Sequence, residues 1–447
     1  MRDPGTAAVM TIPSLHPAHC AGQDAAFSRR HVLAGGLALG AIGAGGGRAL
    51  AADAYGPAPL AGRPLPPGDD SGRLVGPPPA GYWPYSGLSG PGRAATAASI
   101  GQGWVSGLPD VRYSGPDKPR YPTAPWGDAT LATAVKQGVL PALRPIHHVH
   151  IRDTIVRPGP DGWYYMTGST GDNIWATNDG VELWRSRNLA DWEYRGLVWS
   201  IERDGVWERH WRMRKGVPFR ALWAPEIHHI RGTWLICHSM SRAGLAILKS
   251  TSGRPEGPYV HAFSPDRPVG KGIDSTLFED EDGSVWLTAG SADTIVRLKD
   301  DLSGLAGPWQ PLAADGWDLD PAHHREQCAA NGYKHFGYEG ATLFKRDGRY
   351  YLGVVDRYED RYSFAMWIAD KITGPYRERH EMPDCGGGNF FRDHRGQWWV
   401  TFFGNGSPSP FREMPGLARV GFDARGHVRF MRDQPFATQP FEGGMTA

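Results

Sequence analysis

An apolar strand pattern that follows a tight turn and opens on an aromatic residue recurs five times along the chain after Pro145. In each case an Asp-Gly or Arg-Gly turn precedes the aromatic residue, and the five anchors are Trp163, Trp234, Trp286, Tyr350 and Trp398. Three of these units also share a Gly-Pro-aromatic corner, at Gly257, Gly307 and Gly374. Units of roughly 50–70 residues with three or four short strands are typical of radial β-repeats. A single such sheet cannot bury both faces, so the units must stack around an axis.

The pattern therefore predicts an all-β fold, a five-bladed β-propeller over residues 145–432, followed by a C-terminal tail over 433–447. A β-sandwich is the alternative, but its strands would not repeat one phrase at this spacing. Residues 52–144 are rich in Pro and Gly and lack an apolar period, which predicts an N-terminal arm that has no core of its own. Ala129–Leu143 could form one short helix in this arm.

Residues 1–51 have the features of an export signal. Arg29 and Arg30 directly precede the apolar run 32–44, and Ala49-Leu50-Ala51 offers a cleavage-type spacing of small residues. The run is too short to span a bilayer. The segment resembles a twin-arginine signal, which predicts a periplasmic or extracellular protein. A disordered basic start followed by a core helix is the alternative.

Composition excludes several partners and chemistries. The 48 Lys and Arg against 47 Asp and Glu give a net charge of +1, which argues against a nucleic-acid or anionic-membrane partner. The four cysteines contain no CxxC pair, so a structural zinc site is not expected. Cys20 precedes the signal, leaving three cysteines and at most one disulfide. The oligomeric state cannot be read from these features.

Three carboxylates occupy matching positions in different units. Ten to twelve residues before the five anchors lie Asp153, Trp223, Asp274, Glu339 and Gly387. The first strand of each propeller blade lines the central channel, so these positions should face one another. Acids that converge at one mouth repel each other unless a substrate or another charge compensates. The alternative is that each acid merely caps a strand or pairs with a nearby Arg.

These phrases resemble glycoside hydrolase family 43 and its five-bladed-propeller relatives. The resemblance covers roughly residues 147–430 and includes Leu222-Trp223-Ala224-Pro225-Glu226, which is similar to the second-blade Trp-Ala-Pro phrase of that family. Carried over position by position, it implies that Asp153 is the general base and Glu339 the general acid. Asp274 would orient the proton donor and raise its pKa. The implied activity is inverting hydrolysis of arabinose-, xylose- or galactose-containing polysaccharides or oligosaccharides.

The chain departs from the family pattern at several positions. Thr154 follows Asp153, and Ser275 follows Asp274, where the family usually carries Pro after the base. The segment 385–389, Cys-Gly-Gly-Gly-Asn, replaces a histidine that often reaches a central ion or water. We therefore expect no required cofactor and no metal ligands. A structural calcium ion is the alternative. The glycines are expected to widen the channel mouth for substrate.

Four further residues are candidates for substrate binding. Trp223 occupies a channel-facing position and could stack on a sugar, whereas most of the 18 Trp are expected in the core. His150, Arg152 and Arg357 could each contact a sugar hydroxyl, with packing or surface ion pairing as the alternatives. The run 147–150, with Asp153 and His228, also permits a metal site, but no HExxH pair supports one.

Three other functions remain possible at this stage. A carbohydrate-binding propeller would keep the fold without catalysis, and the missing prolines leave this alternative open. A retaining enzyme of the related invertase type would use its first acid as a nucleophile. A metal-dependent hydrolase would use the histidines beside Asp153.

Overall fold

The computed structural model describes residues 72–76, 141–147, 151–170, 178–214, 217–241, 243–315, 336–337, 339–358, 361–403 and 414–446. For 214, 217, 356–358 and 361 it describes the backbone alone. The predicted export signal, most of the arm and residues 129–140 of the helix predicted over Ala129–Leu143 lie outside these ranges, and the described residues 141–143 are not helical. Within the described ranges, no helix is long and apolar enough to cross a membrane.

The described chain is almost entirely β-structure, arranged as five consecutive four-stranded antiparallel sheets that we call blades 1 to 5. Blade 1 contains β2 (Arg152–Pro158), β3 (Tyr164–Ser169), β4 (Gly180–Ser186) and β5 (Glu193–Ser200). Blade 2 contains β8 (Leu222–Ile230), β9 (Thr233–Met240), β10 (Gly244–Ser250) and β11 (Tyr259–His261). Blade 3 contains β12 (Ser275–Glu279), β13 (Val285–Ala289), β14 (Thr294–Arg297) and β15 (Gln310–Pro311).

Blade 4 contains β16 (Glu339–Arg346), β17 (Arg349–Tyr358), β18 (Arg361–Ala369) and β19 (Arg377–Met382). Blade 5 contains β20 (Phe390–Arg392), β21 (Trp398–Phe402), β22 (Gly416–Phe422) and β23 (Val428–Phe430). A smaller three-stranded sheet joins β1 (Leu74–Val75), β6 (Trp211–Arg214) and β7 (Val217–Phe219). A short helix α1 (Ile201–Asp204) and a 3₁₀ turn (Trp207–Arg209) precede β6.

The first strands of the five blades form a closed ring. β2 contacts β8, β8 contacts β12, β12 contacts β16, β16 contacts β20, and β20 returns to β2. This closure is the defining feature of a propeller, so the predicted five-bladed architecture is present in the described part of the chain. Every predicted aromatic anchor lies in the second strand of its blade or, for Trp163, directly before it.

Buried apolar side chains fill the interfaces between neighbouring blades. Tyr165 and Trp199 of blade 1 share one cluster with Ile227 and Trp234 of blade 2, and similar clusters join the other neighbours. The expectation that the anchor tryptophans are core residues is only partly correct. Trp234 is buried, whereas Trp163, Trp286 and Trp398 are half-buried, because the residue after the turn lies at the rim of the sheet.

Segments outside the blades are attached to them by backbone pairing. In the arm, Leu74 pairs with Arg212 of β6. Leu143 forms an antiparallel bridge with Ala437, and the Arg144 amide donates to the Phe436 carbonyl at 2.9 Å. The two ends of the propeller segment are therefore held against each other.

Candidate active site

The start of each blade's first strand contains one residue in the left-handed backbone region. These residues are Asp153 (φ 52°), Ala224 (φ 44°), Asp274 (φ 51°), Gly340 (φ 66°) and Gly387 (φ 77°). In blades 1, 2 and 4 the pairing register with the second strand shifts at the same point. A bulge of this kind re-aims the side chains around it. The five mouth positions are therefore built alike, and Asp153, Asp274 and Glu339 lie at or beside three of them.

Asp153 is held by a side chain of the neighbouring strand. The Ser169 hydroxyl, at the end of β3, donates to Oδ2 of Asp153 at 2.7 Å. The same hydroxyl accepts the backbone N–H of Ala224 at 2.8 Å. Ser169 thus connects the acid of blade 1 with the left-handed residue of blade 2. Because a donated hydrogen bond favours the charged carboxylate, this contact suits a group that works ionised.

Asp274 lies close to the other two acids. Its Oδ2 accepts the backbone N–H of Gly340 at 3.1 Å, which places it against the residue after Glu339. Burial, followed by the negative charges of Glu339 and Asp153, raises the pKa of Asp274 well above its usual range. Solvent still reaches part of this half-buried side chain and moderates the effect. The structure therefore brings the three acids together.

Glu339 receives a hydrogen bond from a tyrosine of the third strand of its own blade. The Tyr362 hydroxyl donates to Oε1 of Glu339 at 2.7 Å. Only 2% of the Tyr362 surface is exposed. Burial, together with the negative charges of Glu339 and Asp153, raises the pKa of Tyr362 well above its usual range. This phenol therefore stays protonated and remains a donor.

The glycines of segment 385–389 pack closely instead of opening the mouth. A Cβ atom on Gly387 would lie 1.9 Å from the Phe403 ring, and one on Gly388 would lie 2.1 Å from the Thr401 carbonyl oxygen. The expectation that these glycines widen the channel is therefore wrong. They allow the backbone to approach Phe403, over whose ring the Arg152 guanidinium lies at 4.3 Å.

The remaining predicted binding residues differ in how far the structure describes them. Arg152 is buried, with 5% exposure, beside Asp153. Trp223 is half-buried in β8, and its ring packs edge-on against Phe219 at 5.9 Å. The backbone of Arg357 belongs to β17, but its side chain lies outside the description. His150 lies outside the described residues.

A buried polar cluster crosses three first strands. One oxygen of Glu226, Oε2, is 3.0 Å from Nε2 of His228, accepts from Thr276 at 2.8 Å and from Arg157 at 3.4 Å. Cys237 Sγ lies 3.7 Å from the His228 Nε2. Burial, and then the charge of Arg157, lowers the pKa of His228.

Glu226, His228 and Cys237 form the single set of potential metal ligands in the described part of the chain. These are ligand types that zinc accepts. However, Arg157 already balances the Glu226 charge, and hydrogen bonds occupy Oε2. Asp153 and His147 do not belong to this set, and the His147 ring packs against the edge of Trp184 at 6.2 Å. This set shares only His228 with the metal site suggested by the sequence, and residues 148–150 of that suggested site lie outside the described residues.

Sequence reasoning missed Ser169 and Tyr362, the two hydroxyls that contact the acids. Ser169 lies on a second strand and Tyr362 on a third strand, whereas the sequence pattern marked only the start of each first strand. The pairing of Arg152 with Ser169 across β2 and β3 shows the signal that could have found Ser169. In a hairpin, a polar residue at the end of the second strand lies close to an acid at the start of the first strand.

Comparison with known proteins gives a consistent result. Residues 142–427 match the family model described as glycosyl hydrolases family 43. An extracellular exo-α-(1→5)-L-arabinofuranosidase of Cellvibrio japonicus is 23% identical over 265 residues, which are 54% of this chain and 70% of that protein. A β-D-galactofuranosidase of Aspergillus niger is 27% identical over 176 residues, 35% of this chain and 46% of that protein, so the chain spans less than half of this second relative.

Solved structures are similar at lower identity. An endo-1,4-β-xylanase from Bacteroides thetaiotaomicron is 20% identical with a TM-score of 0.47, over 66% of this chain and 98% of that one. An exo-1,5-α-L-arabinanase from a bovine ruminal metagenomic library is 20% identical with a TM-score of 0.44, over 65% and 97%.

Proposed function

Because the chain belongs to glycosyl hydrolases family 43, we propose that it is an inverting glycoside hydrolase of arabinose-, xylose- or galactose-containing polysaccharides or oligosaccharides. In this mechanism Asp153 activates water as the general base, and Glu339 protonates the leaving oxygen as the general acid. Asp274 orients the proton donor and tunes its acidity. Inversion needs room for water between base and sugar, with the two carboxyls about 6.5–9.5 Å apart.

The single observation that carries this proposal is the convergence of the three acids, in which Oδ2 of Asp274 accepts the Gly340 N–H at 3.1 Å, beside Glu339. Burial, followed by repulsion from Glu339 and Asp153, raises the pKa of Asp274, so the cluster holds a proton at a pH where isolated carboxyls have lost theirs. A retained proton is what a general acid needs near neutral pH. Ser169 meanwhile donates to Asp153, which favours the ionised form that a base needs. The two environments therefore support opposite roles.

For substrate binding, we propose that Trp223 stacks on a sugar ring and that Arg152, His150 and Arg357 contact hydroxyls. Trp223 is only half-buried, and stacking on a sugar requires that its ring be accessible. The two named relatives act on furanosides, an arabinofuranoside and a galactofuranoside. Furanosides are therefore the first substrate class to test, ahead of xylosides. No step of this mechanism requires a cofactor.

The test is a panel of 4-nitrophenyl glycosides, namely α-L-arabinofuranoside, β-D-galactofuranoside and β-D-xyloside, together with arabinan and xylan. We expect turnover of at least one furanoside, and proton NMR of the first product should show the inverted anomer. A retained anomer would contradict the roles given to Asp153 and Glu339. Binding of arabinan or xylan without any release of sugar would support a carbohydrate-binding propeller instead.

We further propose export through a twin-arginine signal at Arg29 and Arg30, because these residues precede a short apolar run. The extracellular arabinofuranosidase relative supports an extracytoplasmic destination. Replacement of both residues by Lys should retain the precursor in the cytoplasm, as fractionation and immunoblotting would show. Normal export of this double variant would refute the signal type but not the proposed activity.

A further inference from the structure

Beyond the three acids, and resting on the proposed function, we infer that Tyr362 is a positioning residue for the proton donor Glu339. We also infer that Gly386–Gly388, within segment 385–389, fix Tyr362 and Phe403 in place. Tyr362 would determine which oxygen of Glu339 carries the transferable proton and would stabilise the carboxylate that remains after proton transfer.

The hydrogen bond between Tyr362 and Glu339 has a defined direction. The Tyr362 hydroxyl donates to Oε1 of Glu339 at 2.7 Å. An oxygen that accepts such a bond is the carbonyl-like oxygen of a neutral acid, so the acidic proton resides on Oε2. When Glu339 gives up this proton, its interaction with Tyr362 becomes a charge-assisted hydrogen bond, which is roughly twice as strong as a neutral one. The contact is therefore stronger after proton transfer than before.

Tyr362 is held rigidly by its neighbours. The Gly386 backbone N–H donates to the Tyr362 carbonyl at 3.0 Å. A Cβ atom on Gly386 would lie 2.8 Å from Cδ1 of the Tyr362 ring, so this position requires glycine for its close packing. On another side the Phe403 ring lies 5.6 Å from the Tyr362 ring. These contacts leave the phenol little freedom to turn away from Glu339.

Phe403, which packs against Tyr362, also connects to the side of the site that contains the base Asp153. Phe403 also lies under the Arg152 guanidinium at 4.3 Å, and Arg152 directly precedes Asp153. Gly387 allows the backbone to approach Phe403 closely. The glycine-rich turn thus supports both sides of the site, through Tyr362 for the acid and through Phe403 and Arg152 for the base. This gives a role to a segment in which the sequence lacks the histidine of its family.

The experiment compares Tyr362→Phe with the wild type on the fastest 4-nitrophenyl glycoside of the panel and on the matching methyl glycoside. Loss of a hydrogen bond to a charged group should lower kcat on the methyl glycoside about 10-fold or more. The nitrophenyl substrate needs little protonation and should lose much less. The ionised form of Glu339 becomes less stable, so the alkaline limb of the kcat/KM profile should move up by about one pH unit.

Tyr376→Phe is the matched control. The Tyr376 hydroxyl donates to the Ile372 carbonyl at 2.9 Å, and this tyrosine is also fully buried in the segment of blade 4. Its variant loses a tyrosine hydrogen bond that involves none of the three acids, so stability falls while both the alkaline limb and the substrate ratio stay as in the wild type. An unchanged alkaline limb and an unchanged substrate ratio in Tyr362→Phe would overturn the inference.

Two further comparisons separate this inference from the proposed function. Glu339→Gln must lose turnover of the methyl glycoside; if it does not, the proposed function itself fails. If it does, while Tyr362→Phe behaves as the wild type, only the inference about Tyr362 fails. Gly386→Ala should shift the alkaline limb in the same direction as Tyr362→Phe. Gly307→Ala, where a Cβ atom meets nothing within 4 Å, should leave it unchanged.

Discussion

At the residue scale, two of the three acids hold backbone conformations that glycine usually occupies. Asp153 and Asp274 have φ values of 52° and 51°, a region that costs a side-chain-bearing residue about 1–2 kcal/mol. At the equivalent mouth positions blades 4 and 5 have Gly340 and Gly387. Such strain persists where the surrounding structure determines it, and it is common at functional sites. The left-handed backbone of each aspartate sets the direction of its own side chain.

The roles of the acid and the base lead to opposite substrate dependence. Glu339→Gln keeps the shape of the side chain but cannot donate a proton, and general acid catalysis contributes a factor of about 10²–10⁴. We expect a loss of this order on methyl glycosides and a much smaller loss on nitrophenyl glycosides. Asp153→Asn removes water activation, which both substrates need, so both rates should fall together. Steady-state kcat values for the two substrates measure this difference.

Asn188→Ala offers a control for these two variants. Asn188 lies in the exposed turn after β4, where its side chain organises the loop, so its substitution should leave both rates within about twofold. Equal losses on both substrates in Glu339→Gln, together with a loss confined to methyl glycosides in Asp153→Asn, would show that the roles are reversed. Normal rates in both variants would show that neither residue has its proposed role.

At the scale of the strand and the blade, the sequence was informative wherever a local pattern has a local cause. A Gly turn followed by an aromatic residue forms the same hairpin in each blade, so all five second strands were predicted correctly. The starts of the first strands were predicted from their spacing of ten to twelve residues before the aromatic anchors. The donors to the acids had no such signature, because Ser169 and Tyr362 reach the mouth only through pairing across strands. The small sheet joins β1 to the local hairpin of β6 and β7, through pairs such as Leu74 with Arg212 that are far apart in sequence, which no periodicity reveals.

Blade 1 contains a buried acid that should make stability depend on pH. Burial, with a smaller contribution from the charge of Asp179, raises the pKa of Glu182 to about 8, against hydrogen bonds from Tyr194 and Thr170 that lower it. The folded state therefore holds a proton that the unfolded chain releases near its usual pKa of 4.5. This contribution to stability is complete below that pKa and is lost as pH rises through about 8.

Glu182→Gln should remove this dependence. In the wild type the free energy of unfolding should fall between pH 5 and pH 8 with a slope of up to about 1.4 kcal/mol per pH unit from this group. The glutamine variant should show a flatter profile in urea unfolding over the same range. Glu193→Gln, an exposed acid on the neighbouring strand whose pKa is lowered by Arg185, should keep the wild-type slope. Parallel profiles for all three proteins would contradict the role of Glu182.

At the scale of the whole propeller, the boundary between blades 5 and 1 is where the ring closes. Here Asn389 of blade 5 uses its amide to pair with the backbone of β2. Its Oδ1 accepts the Val156 N–H and its Nδ2 donates to the Val156 carbonyl, each at 2.9 Å. The side chain thus substitutes for a strand partner between the last blade and the first, beside the parallel bridge of Thr154 with Gly388.

The same two-way amide contact occurs between blades 1 and 2, which provides a matched pair of variants. Asn178 accepts the Leu222 N–H at 3.0 Å and donates to the Leu222 carbonyl at 2.7 Å. Asn389→Ala and Asn178→Ala each leave two buried backbone groups without their hydrogen-bond partner. The cost is about 1–3 kcal/mol per group. Both should lower the free energy of unfolding by comparable amounts.

The two variants should differ in where the molecule opens. Blades 1 and 2 stay connected by a short stretch of chain, whereas blades 5 and 1 meet only through contacts far apart in sequence, such as Leu143 with Ala437. Asn389→Ala should therefore permit local separation at the closure, which accelerates amide exchange in β2 and β20 before global unfolding. Hydrogen-exchange mass spectrometry should find these strands protected as in the wild type in Asn178→Ala. Equal exchange of β2 and β20 in both variants would show that the closure is no weaker than the other blade boundaries.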